Sequence, residues 1–308
     1  MENFVYLLKE KEELELRLSS MFYGSVEIRD SNGKNVIYIH RREKGLQATK
    51  YVGEYSDALI ETINRNNIVA KELKKKLKEI TKQLRFLNYS QMELNDEIKL
   101  NIDIARRNLV DSIYKQAMLE GVATTYSDTE TIVNGGKVID MNASDISKVV
   151  NLKHAWEFIL NEKVISYPTN YVVLCEINKI VEEGFSYSAG KIRSTSVTIG
   201  GSTYVPPIPF ESDVKEKIKT IIESEESPID IAIELTLFVM KTQVYLDGNK
   251  RTAIIFANHY LISHGKGLIV IPAELVSEYK KHLVNYYEDK DLDTIKKFLK
   301  EKCWIKLH

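Results

Sequence analysis

The residues best suited to chemistry form one short segment, DGNKRTA at positions 247–253. It lies between two strongly apolar helical patterns, where the second helix is expected to begin. The first N–H groups of a helix have no partner inside the helix and carry the positive end of its dipole, so they favour anions. Asp247 is a carboxylate that can hold magnesium. The segment therefore predicts a phosphate site lined by Gly248, Asn249, Lys250, Arg251 and Thr252.

Local patterns predict both helices that must position this segment. Ser227 followed by Pro228 is typical of a helix start, and the apolar pattern IDIAIELTLFVMKT continues from it. The helix after the segment, TAIIFANHYLIS, ends near Gly265. Because that helix is apolar on nearly every side, we expect it to be the buried central helix of a bundle.

A β-hairpin is predicted upstream of these two helices. In the sequence KIRSTSVTIGGSTYVPPIP, residues 191–209, Val197 and Ile199 alternate with polar residues, and Gly200-Gly201 provides a tight turn. A lone hairpin among helices contributes little to a core. We therefore expect this hairpin to cover a site.

Residues 243–251, QVYLDGNKR, resemble the signature of the Fic-domain family, His-x-Phe-x-Asp/Glu-Gly-Asn-Gly/Lys-Arg. The segment AGKIR at 189–193 and the hairpin after it resemble the family's substrate-positioning flap, here Val197, Thr198, Ile199 and Gly200. The resemblance covers roughly residues 95–300. It implies binding of ATP or another nucleoside triphosphate with Mg²⁺ on Asp247, phosphate neutralisation by Arg251, and transfer of AMP to a hydroxyl of a target protein.

Three positions depart from the family pattern. Gln243 stands where the family has its histidine general base, and an amide does not accept a proton near neutral pH. Loss of a general base typically costs about 10²- to 10⁴-fold in rate. Ile254 takes the place of a second arginine that many members use for the outer phosphates. Lys250 matches a smaller group that includes a protein kinase of toxin–antitoxin systems.

Two hypotheses of different classes follow from these residues. The first is a Fic-type transferase with impaired or atypical chemistry, in which Gln243, Asp247 and Arg251 occupy the catalytic positions. It would transfer AMP or, as in the kinase-type group, a phosphoryl group. The second is a catalytically silent regulatory module whose partner binding depends on nucleotide occupancy. Gln243 favours the second hypothesis, and the intact segment at 247–251 favours the first.

Other residues were weighed for regulatory or catalytic roles. Many members of the family carry an inhibitory helix with the pattern Ser/Thr-x-x-x-Glu-Gly/Asn, and Glu130 in YSDTETIVNG lies in a similar setting. Tyr126 and Thr131 depart from that pattern, so a solvated glutamate is the alternative. His259 lies two helical turns beyond the segment, too far to replace the missing base. Tyr245 is expected to be a core anchor.

The N-terminal part predicts a separate module. Residues 1–20 form an amphipathic helix pattern, Val26 and Ile28 begin an alternating strand, Asn32-Gly33 is a hairpin turn, and a third strand is expected around residues 49–52. Ser56 is a predicted N-cap. A seam then recurs at spacings of four and three, which fits either packing inside one chain or an intermolecular coiled coil that would make a homodimer. Its members are Leu73, Leu77, Ile80, Leu84 and Leu87.

The predicted fold is therefore mainly α. We expect a short helix and β-hairpin module at 1–55, a long coiled-coil-like helical segment at 56–94, and a Fic-type helical bundle with a flap β-hairpin at 95–308. We expect the lysines of KELKKKLKEITK to form a solvated face and not a nucleic-acid patch. A third hypothesis is that a basic module contacts nucleic acid. Its members are Arg41, Arg42, Lys44 and Lys50.

Composition narrows the class of protein. The net charge is −1 and 44% of residues are hydrophobic, so no global field favours nucleic acid or membrane as the main partner. Cys175 and Cys303 are far apart and do not predict a disulfide framework or a metal cluster. The N-terminus has charges throughout its apolar run, and no uncharged stretch approaches the roughly 18 residues of a membrane span. We expect a cytoplasmic protein whose partners are a nucleotide and a target protein.

Overall fold

The computed structural model describes residues 4–31, 33–43, 46–86 and 94–306. The chain divides into two compact units, residues 1–89 and 90–308. The first unit joins the predicted β module to the long helix that follows it, so the boundary expected at residue 55 does not separate compact units. No helix among the described residues is long and apolar enough to cross a membrane.

The first unit is a three-stranded meander with two helices. Its elements are α1 (Phe4–Ser20), β1 (Ser25–Ser31), β2 (Lys34–Glu43), β3 (Leu46–Glu54) and α2 (Asp57–Phe86). Both strand pairs are antiparallel, and His40 lies opposite Ser25 on one side and Thr49 on the other. The predicted cap is confirmed, because the Ser56 hydroxyl accepts a hydrogen bond from the Leu59 N–H at 3.2 Å.

Helix α1 packs along α2 within the unit. Leucines of α1 and the seam residues Leu73, Ile80 and Leu84 of α2 are buried. The seam residues therefore pack against a helix of the same chain. Leu87, the last predicted member of the seam, lies outside the described residues. Nearer the start of α2, Ile63 packs with Ile37 and Ile39 of β2.

The second unit is a helical bundle, and this confirms the predicted fold class. Its first helices are α3 (Asp96–Arg107), α4 (Leu109–Leu119), α5 (Tyr126–Val133), α6 (Ala143–Ile159), α7 (Glu162–Ile165), α8 (Tyr171–Val181) and α9 (Glu211–Ile222). Its last elements are α10 (Pro228–Thr242), α11 (Asn249–Ser263), β4 (Leu268–Ile269), a 3₁₀ turn (Ala273–Leu275), α12 (Val276–Tyr287), α13 (Thr294–Phe298), a π-helical turn (Leu299–Cys303) and β5 (Trp304–Ile305).

Helix α11 is the centre of this bundle, as predicted. It contacts α10, α8, α6 and α3, and every residue except Lys250 is buried. Helix α10 begins at the predicted cap, where the Ser227 hydroxyl accepts a hydrogen bond from the Asp230 N–H. The interhelical contacts fix the N-terminus of α11, where the segment at 247–253 lies.

The flap has a turn but no paired strands, which corrects the predicted hairpin. The Ser202 N–H donates to the Ile199 carbonyl at 3.1 Å, and residues 194–210 contain no strand. Prolines 206, 207 and 209 have no N–H to donate to a ladder. The segment with the alternating pattern therefore forms an exposed turn, and side-chain hydrogen bonds hold the chain on both sides of it.

Candidate functional site

The N-terminus of α11 has the groups expected of an anion site. Gly248, in the left-handed conformation at φ +72°, is its N-cap and provides no capping side chain. The first backbone bond of the helix runs from the Thr252 N–H to the Gly248 carbonyl at 2.8 Å. Among the described residues, no acceptor is found for the backbone N–H groups of Asn249, Lys250 and Arg251. Three donors are therefore available to a ligand.

The side chain of Asn249 closes the loop before this helix. Its carbonyl oxygen accepts from the Tyr245 N–H at 2.9 Å, and its amide donates to the Tyr245 carbonyl at 2.8 Å. The same amide donates to the Gln243 side-chain oxygen at 3.1 Å. Asn249 thus contributes its backbone N–H to the site, while its side chain holds the loop.

Gln243 is the last residue of the turn that ends α10. It is left-handed at φ 48° and its N–H donates to the Val239 carbonyl. Its side-chain amide donates to the Met240 carbonyl at 2.6 Å, and its side-chain oxygen accepts from Asn249. Both ends of the side chain are therefore engaged where the family pattern has a base.

Asn178 of helix α8 holds the loop before α11 through hydrogen bonds. The sequence did not predict this residue. The Asn178 amide donates to the Asp247 carbonyl and to the Thr252 hydroxyl, both at 3.1 Å, and its oxygen accepts from the Gly190 N–H at 2.8 Å. Thr252 is fully buried by this contact. Thr252 is not among the described lining residues of the cleft discussed below, and its predicted part in nucleotide binding stays a prediction.

Arg251 faces protein carboxylates and does not line the cleft described below. Its guanidinium is 5% exposed and lies 2.8 Å from a Glu182 oxygen and 3.8 Å from a Glu120 oxygen. Lys250 lies 3.5 Å from the other Glu120 oxygen. Desolvation raises the pKa of Glu182 to about 7, although Arg251 acts in the opposite direction. The predicted role of Arg251 in phosphate neutralisation stays a prediction.

A cleft of about 620 Å³ opens over the N-terminus of α11. Its floor contains Gln243, Asp247, Asn249 and Lys250, with Glu120 at one side. The flap contributes residues 198–201, and Val197 is outside the lining. The opposite wall is α12, which contributes Lys280, Lys281, Leu283, Val284, Asn285 and Tyr287. Lys280 and Lys281 are exposed, and the described residues provide neither with an ion-pair partner.

Comparison with known proteins identifies this arrangement. The model of the Fic/DOC family matches residues 168–261, which contain α8, the flap and the α10–α11 turn. Residues 168–261 form a Fic/DOC-family domain.

Curated relatives of the Fic domain are named protein adenylyltransferases. The chain is 26% identical over 179 residues to fic-1 of Caenorhabditis elegans and 22% identical over 194 residues to Fic of Drosophila grimshawi. The matches cover 54% and 61% of this chain but 34% and 40% of those relatives. The chain therefore matches well under half of each relative's length.

Solved Fic structures share the fold. C. elegans Fic-1 superposes with a TM-score of 0.53 at 18% identity, covering 75% of this chain and 72% of that one. A Fic-domain signaling protein from Bacteroides thetaiotaomicron superposes with a TM-score of 0.53 at 21% identity, covering 66% and 79%. At these identities the likeness establishes the architecture alone.

Glu120 contacts the Fic site, whereas Glu130, the residue singled out in the sequence, does not line it. Glu130 is exposed on α5 and is absent from the cleft lining, whereas the Glu120 side chain is 14% exposed and contacts Lys250 and Arg251. The sequence QAMLEG at 116–121 ends in Glu-Gly, as the inhibitory pattern does, with Gln116 at its Ser/Thr position. Gln116 also donates to the Arg251 carbonyl at 2.8 Å. That Glu-Gly pair is the sequence feature from which the position of Glu120 could have been predicted.

Two side chains hold the flap over the Fic cleft. At its base, the buried Arg193 guanidinium donates to the carbonyls of Gln243 at 2.5 Å and Pro207 at 2.6 Å. At its tip, Glu288 accepts from the Thr203 N–H at 2.7 Å. Hydrogen bonds, first from Lys290 and then from Thr203, lower the pKa of Glu288 to about 2. The tip contact is therefore fully charged at neutral pH.

The carboxylate of Asp247 suits magnesium bound together with phosphate. The side chain is 75% exposed and lines the cleft, and one oxygen already accepts the Gly248 N–H at 2.7 Å. No group of three metal-binding side chains occurs in the described part of the chain. Because Mg²⁺ accepts one carboxylate with phosphate and water oxygens, the donor set fits an ion that arrives with a nucleotide.

The remaining candidates are core residues. His259 is fully buried, bonds to the Thr169 hydroxyl at 2.8 Å, and burial lowers its pKa to about 4. It is therefore a neutral histidine away from the cleft. Tyr245 is buried and donates to the Cys175 sulfur at 3.4 Å, as a core anchor should. Cys175 and Cys303 are both free and buried.

We expect Glu182 to make folding stability depend on pH. Its pKa rises from an ordinary 4.5 to about 7 in the folded chain. In the folded state Glu182 keeps its proton to a higher pH than in the unfolded state. The stability that this group contributes is therefore fully present below pH 4.5 and is lost as pH rises through 7. The difference in unfolding free energy between the wild type and Glu182→Gln should therefore fall by on the order of 3 kcal/mol from pH 4.5 to 8. Chemical denaturation at several pH values measures it, and a constant difference contradicts the assignment.

Proposed function

We propose that the Fic domain of this chain binds ATP or another nucleoside triphosphate and transfers AMP slowly to a hydroxyl of a target protein. One observation carries the proposal: the uncapped N-terminus of α11 opens directly on the cleft. Three backbone N–H groups there have no acceptor among the described residues. Anions bind at such helix ends because the donors and the dipole act together.

The charges around the cleft suit a polyphosphate. Lys250 lies on the floor, and Lys280 and Lys281 lie on the wall formed by α12. Many members of the family have a second arginine where this chain has the buried, uncharged Ile254. The two lysines of α12 supply positive charge in its place. Asp247 would hold Mg²⁺, which would neutralise phosphate charge when bound. Together these groups offset the two carboxylates that also line the cleft.

Gln243 sets the chemical limit on transfer. When a hydroxyl oxygen bonds to the α-phosphorus, the bond to the β-phosphate oxygen breaks, pyrophosphate leaves, and the hydroxyl proton needs an acceptor. The Gln243 oxygen can accept a hydrogen bond and orient the hydroxyl, but it does not take the proton. Because phosphoryl chemistry depends mainly on positioning and charge neutralisation, a slow reaction remains feasible.

A silent nucleotide-binding module is the second candidate, and one observation favours it. Both ends of the Gln243 side chain are bonded to protein groups, and Glu120 contacts Lys250. A nucleotide could then alter partner binding without turnover. Kinase-like transfer of the γ-phosphate is a third outcome, since Lys250 matches the kinase-type pattern.

Labelled ATP separates these functions. The full chain is incubated with Mg²⁺ and cell lysate, using α-labelled ATP in one sample and γ-labelled ATP in another. Transfer of the α-label to protein supports AMP transfer, and transfer of only the γ-label supports a kinase. Retained ATP binding with neither label transferred supports the silent module. Absence of binding contradicts all three.

Glu120→Ala is expected to strengthen ATP binding by about tenfold or more. The substitution frees Lys250 from a charge pair and removes one carboxylate from the cleft, and a partly buried charge contact of this kind is worth about 1–3 kcal/mol. Calorimetric titration measures the change. Glu130→Ala is the matched control, since its carboxylate is exposed on α5, and it should leave affinity unchanged. An equal gain in both variants, or none in Glu120→Ala, contradicts this role.

A further inference from the structure

Five positive side chains form a line along one face of α2. They recur at spacings of three, four, four and three residues, and we call them the α2 cation stripe: Lys71, Lys74, Lys78, Lys82 and Arg85. At 3.6 residues per turn they fall within an arc of about 80° and span about 21 Å. Glu72 and Glu79 lie outside that arc. The stripe is therefore a continuous positive line.

The stripe is exposed, and the described residues provide it with no ion-pair partner. Other cations of the same unit are paired: Arg29 with Glu27, Lys34 with Glu54, Arg65 with Glu61, and Lys76 with Glu10. Like charges held in a row repel one another, and this repulsion is unrelieved along the stripe. A polyanion would offset it.

The first two stripe residues open into a cleft of about 650 Å³ within the same unit. Lys71 and Lys74 line one side, and Arg41 and Arg42 of β2 line the other. No Asp or Glu is found among the lining residues that the structure describes. Glu27, which hydrogen-bonds His40 of this lining, is also held by Arg29, and these contacts lower its pKa to about 2.

The cleft is built on fixed backbone. Asn67 bonds both the N–H and the carbonyl of Gly24, at 2.8 and 3.1 Å, and so fastens the start of β1 to α2. The Arg41 guanidinium and the Lys74 ammonium lie 4.8 and 4.5 Å from the Tyr23 ring. These cation–π contacts hold the two side chains near each other across the cleft.

The charge of the chain is unevenly distributed. Residues 1–89 contain 17 Lys and Arg and 13 Asp and Glu, a formal charge of +4. Residues 90–308 contain 26 and 31, a formal charge of −5. The overall charge of −1 conceals this asymmetry. The lysines of α2 were expected to form a plain solvated face, but the cleft places Lys71 and Lys74 beside Arg41 and Arg42.

We propose that the first unit binds nucleic acid through its phosphate backbone, along the α2 cation stripe and into the cleft beside β2. Flexible cations in a line suit phosphates that repeat along a strand, and such contacts carry no sequence information. An acidic protein partner is less suited, because protein interfaces need buried apolar anchors. Among the lining residues that the structure describes, the apolar ones are Val26 and Ala70, beside the cation-covered Tyr23. This inference is independent of the Fic site.

Fluorescence anisotropy of the full chain with a labelled single-stranded oligonucleotide of about 20 nucleotides tests the proposal. Affinity should fall steeply between about 50 and 200 mM salt, as counterion release requires. The triple variant Lys71→Gln, Lys74→Gln, Lys78→Gln should lose at least tenfold in affinity, and the slope of log K against log salt should lessen by about 2. A labelled duplex gives the same comparison.

The matched control is Lys34→Gln, Arg65→Gln, Lys76→Gln, which removes the same charge from paired cations of the same unit. It should retain affinity within about twofold, and thermal unfolding shows that both variants are folded. Three results overturn the proposal: no binding at about 50 mM salt, equal losses in the two triple variants, or displacement by polyglutamate as effective as displacement by unlabelled oligonucleotide.

Discussion

Gln243→His is expected to raise AMP transfer by about 10²- to 10⁴-fold, the usual contribution of a general base. An imidazole with a pKa near neutrality accepts the hydroxyl proton that the amide does not. The position already lines the cleft, and its left-handed backbone, at φ 48°, is one that histidine adopts more readily than most residues. The measurement is incorporation of α-labelled AMP into protein.

The control for this gain is Gln243→Asn, which keeps an amide and tolerates the same backbone. It should give no increase. Both variants are also measured in the Glu120→Ala background, so that a charge pair on Lys250 does not mask the effect. If Gln243→His binds ATP as the wild type does and still transfers no more AMP, the site lacks more than its base.

Gly248→Ala is expected to abolish nucleotide binding and to destabilise the second unit by at least about 2 kcal/mol. A left-handed residue with a side chain costs about 1–2 kcal/mol. Here the added Cβ would also lie 2.5 Å from a Glu182 oxygen, so this carboxylate, which pairs with Arg251, must shift. Disturbing a buried ion pair costs up to about 3–5 kcal/mol. Displacement of the loop would misdirect the N–H groups at the start of α11.

Gly135→Ala is the matched control for backbone strain. Gly135 has φ +77°, and a Cβ there meets nothing within 4 Å. The Gly135→Ala variant should lose only the unfolding free energy that backbone strain costs, and it should retain full ATP affinity. Denaturant unfolding and calorimetry compare the two variants. Similar losses of stability together with unchanged ATP binding would contradict the assigned position of Gly248.

Local patterns were sufficient to predict the scaffold. The apolar sequence of α11 specified a central helix because only a position surrounded by other helices buries all its sides. Ser227 and Ser56 marked helix starts because their hydroxyls satisfy free N–H groups there. The segment at 247–251 predicted a candidate site because a glycine turn before a helix exposes backbone donors. Each of these inferences depends on neighbours in sequence.

Contacts between distant segments were not predicted. Arg251 was expected to face phosphate, but Glu120 and Glu182, which directly follow α4 and α8, contact it in the packed bundle. Lys280 and Lys281 were not predicted as site residues, because their local sequence does not indicate that α12 forms the cleft wall. Alternation around Gly200 predicted strands, yet Arg193 and Glu288 hold the flap arms through side-chain bonds. Contacts between distant segments leave no periodic pattern in the local sequence.

Calorimetric titration of the full chain with ATP and Mg²⁺ tests the central claim most directly, that the N-terminus of α11 holds a polyphosphate. The account predicts one saturable site, tighter in Glu120→Ala and lost in Lys250→Glu, with thermal unfolding confirming that each variant is folded. If neither the wild type nor Glu120→Ala releases or absorbs heat with any common nucleoside triphosphate, or if Lys250→Glu binds ATP as tightly as the wild type, the account is contradicted.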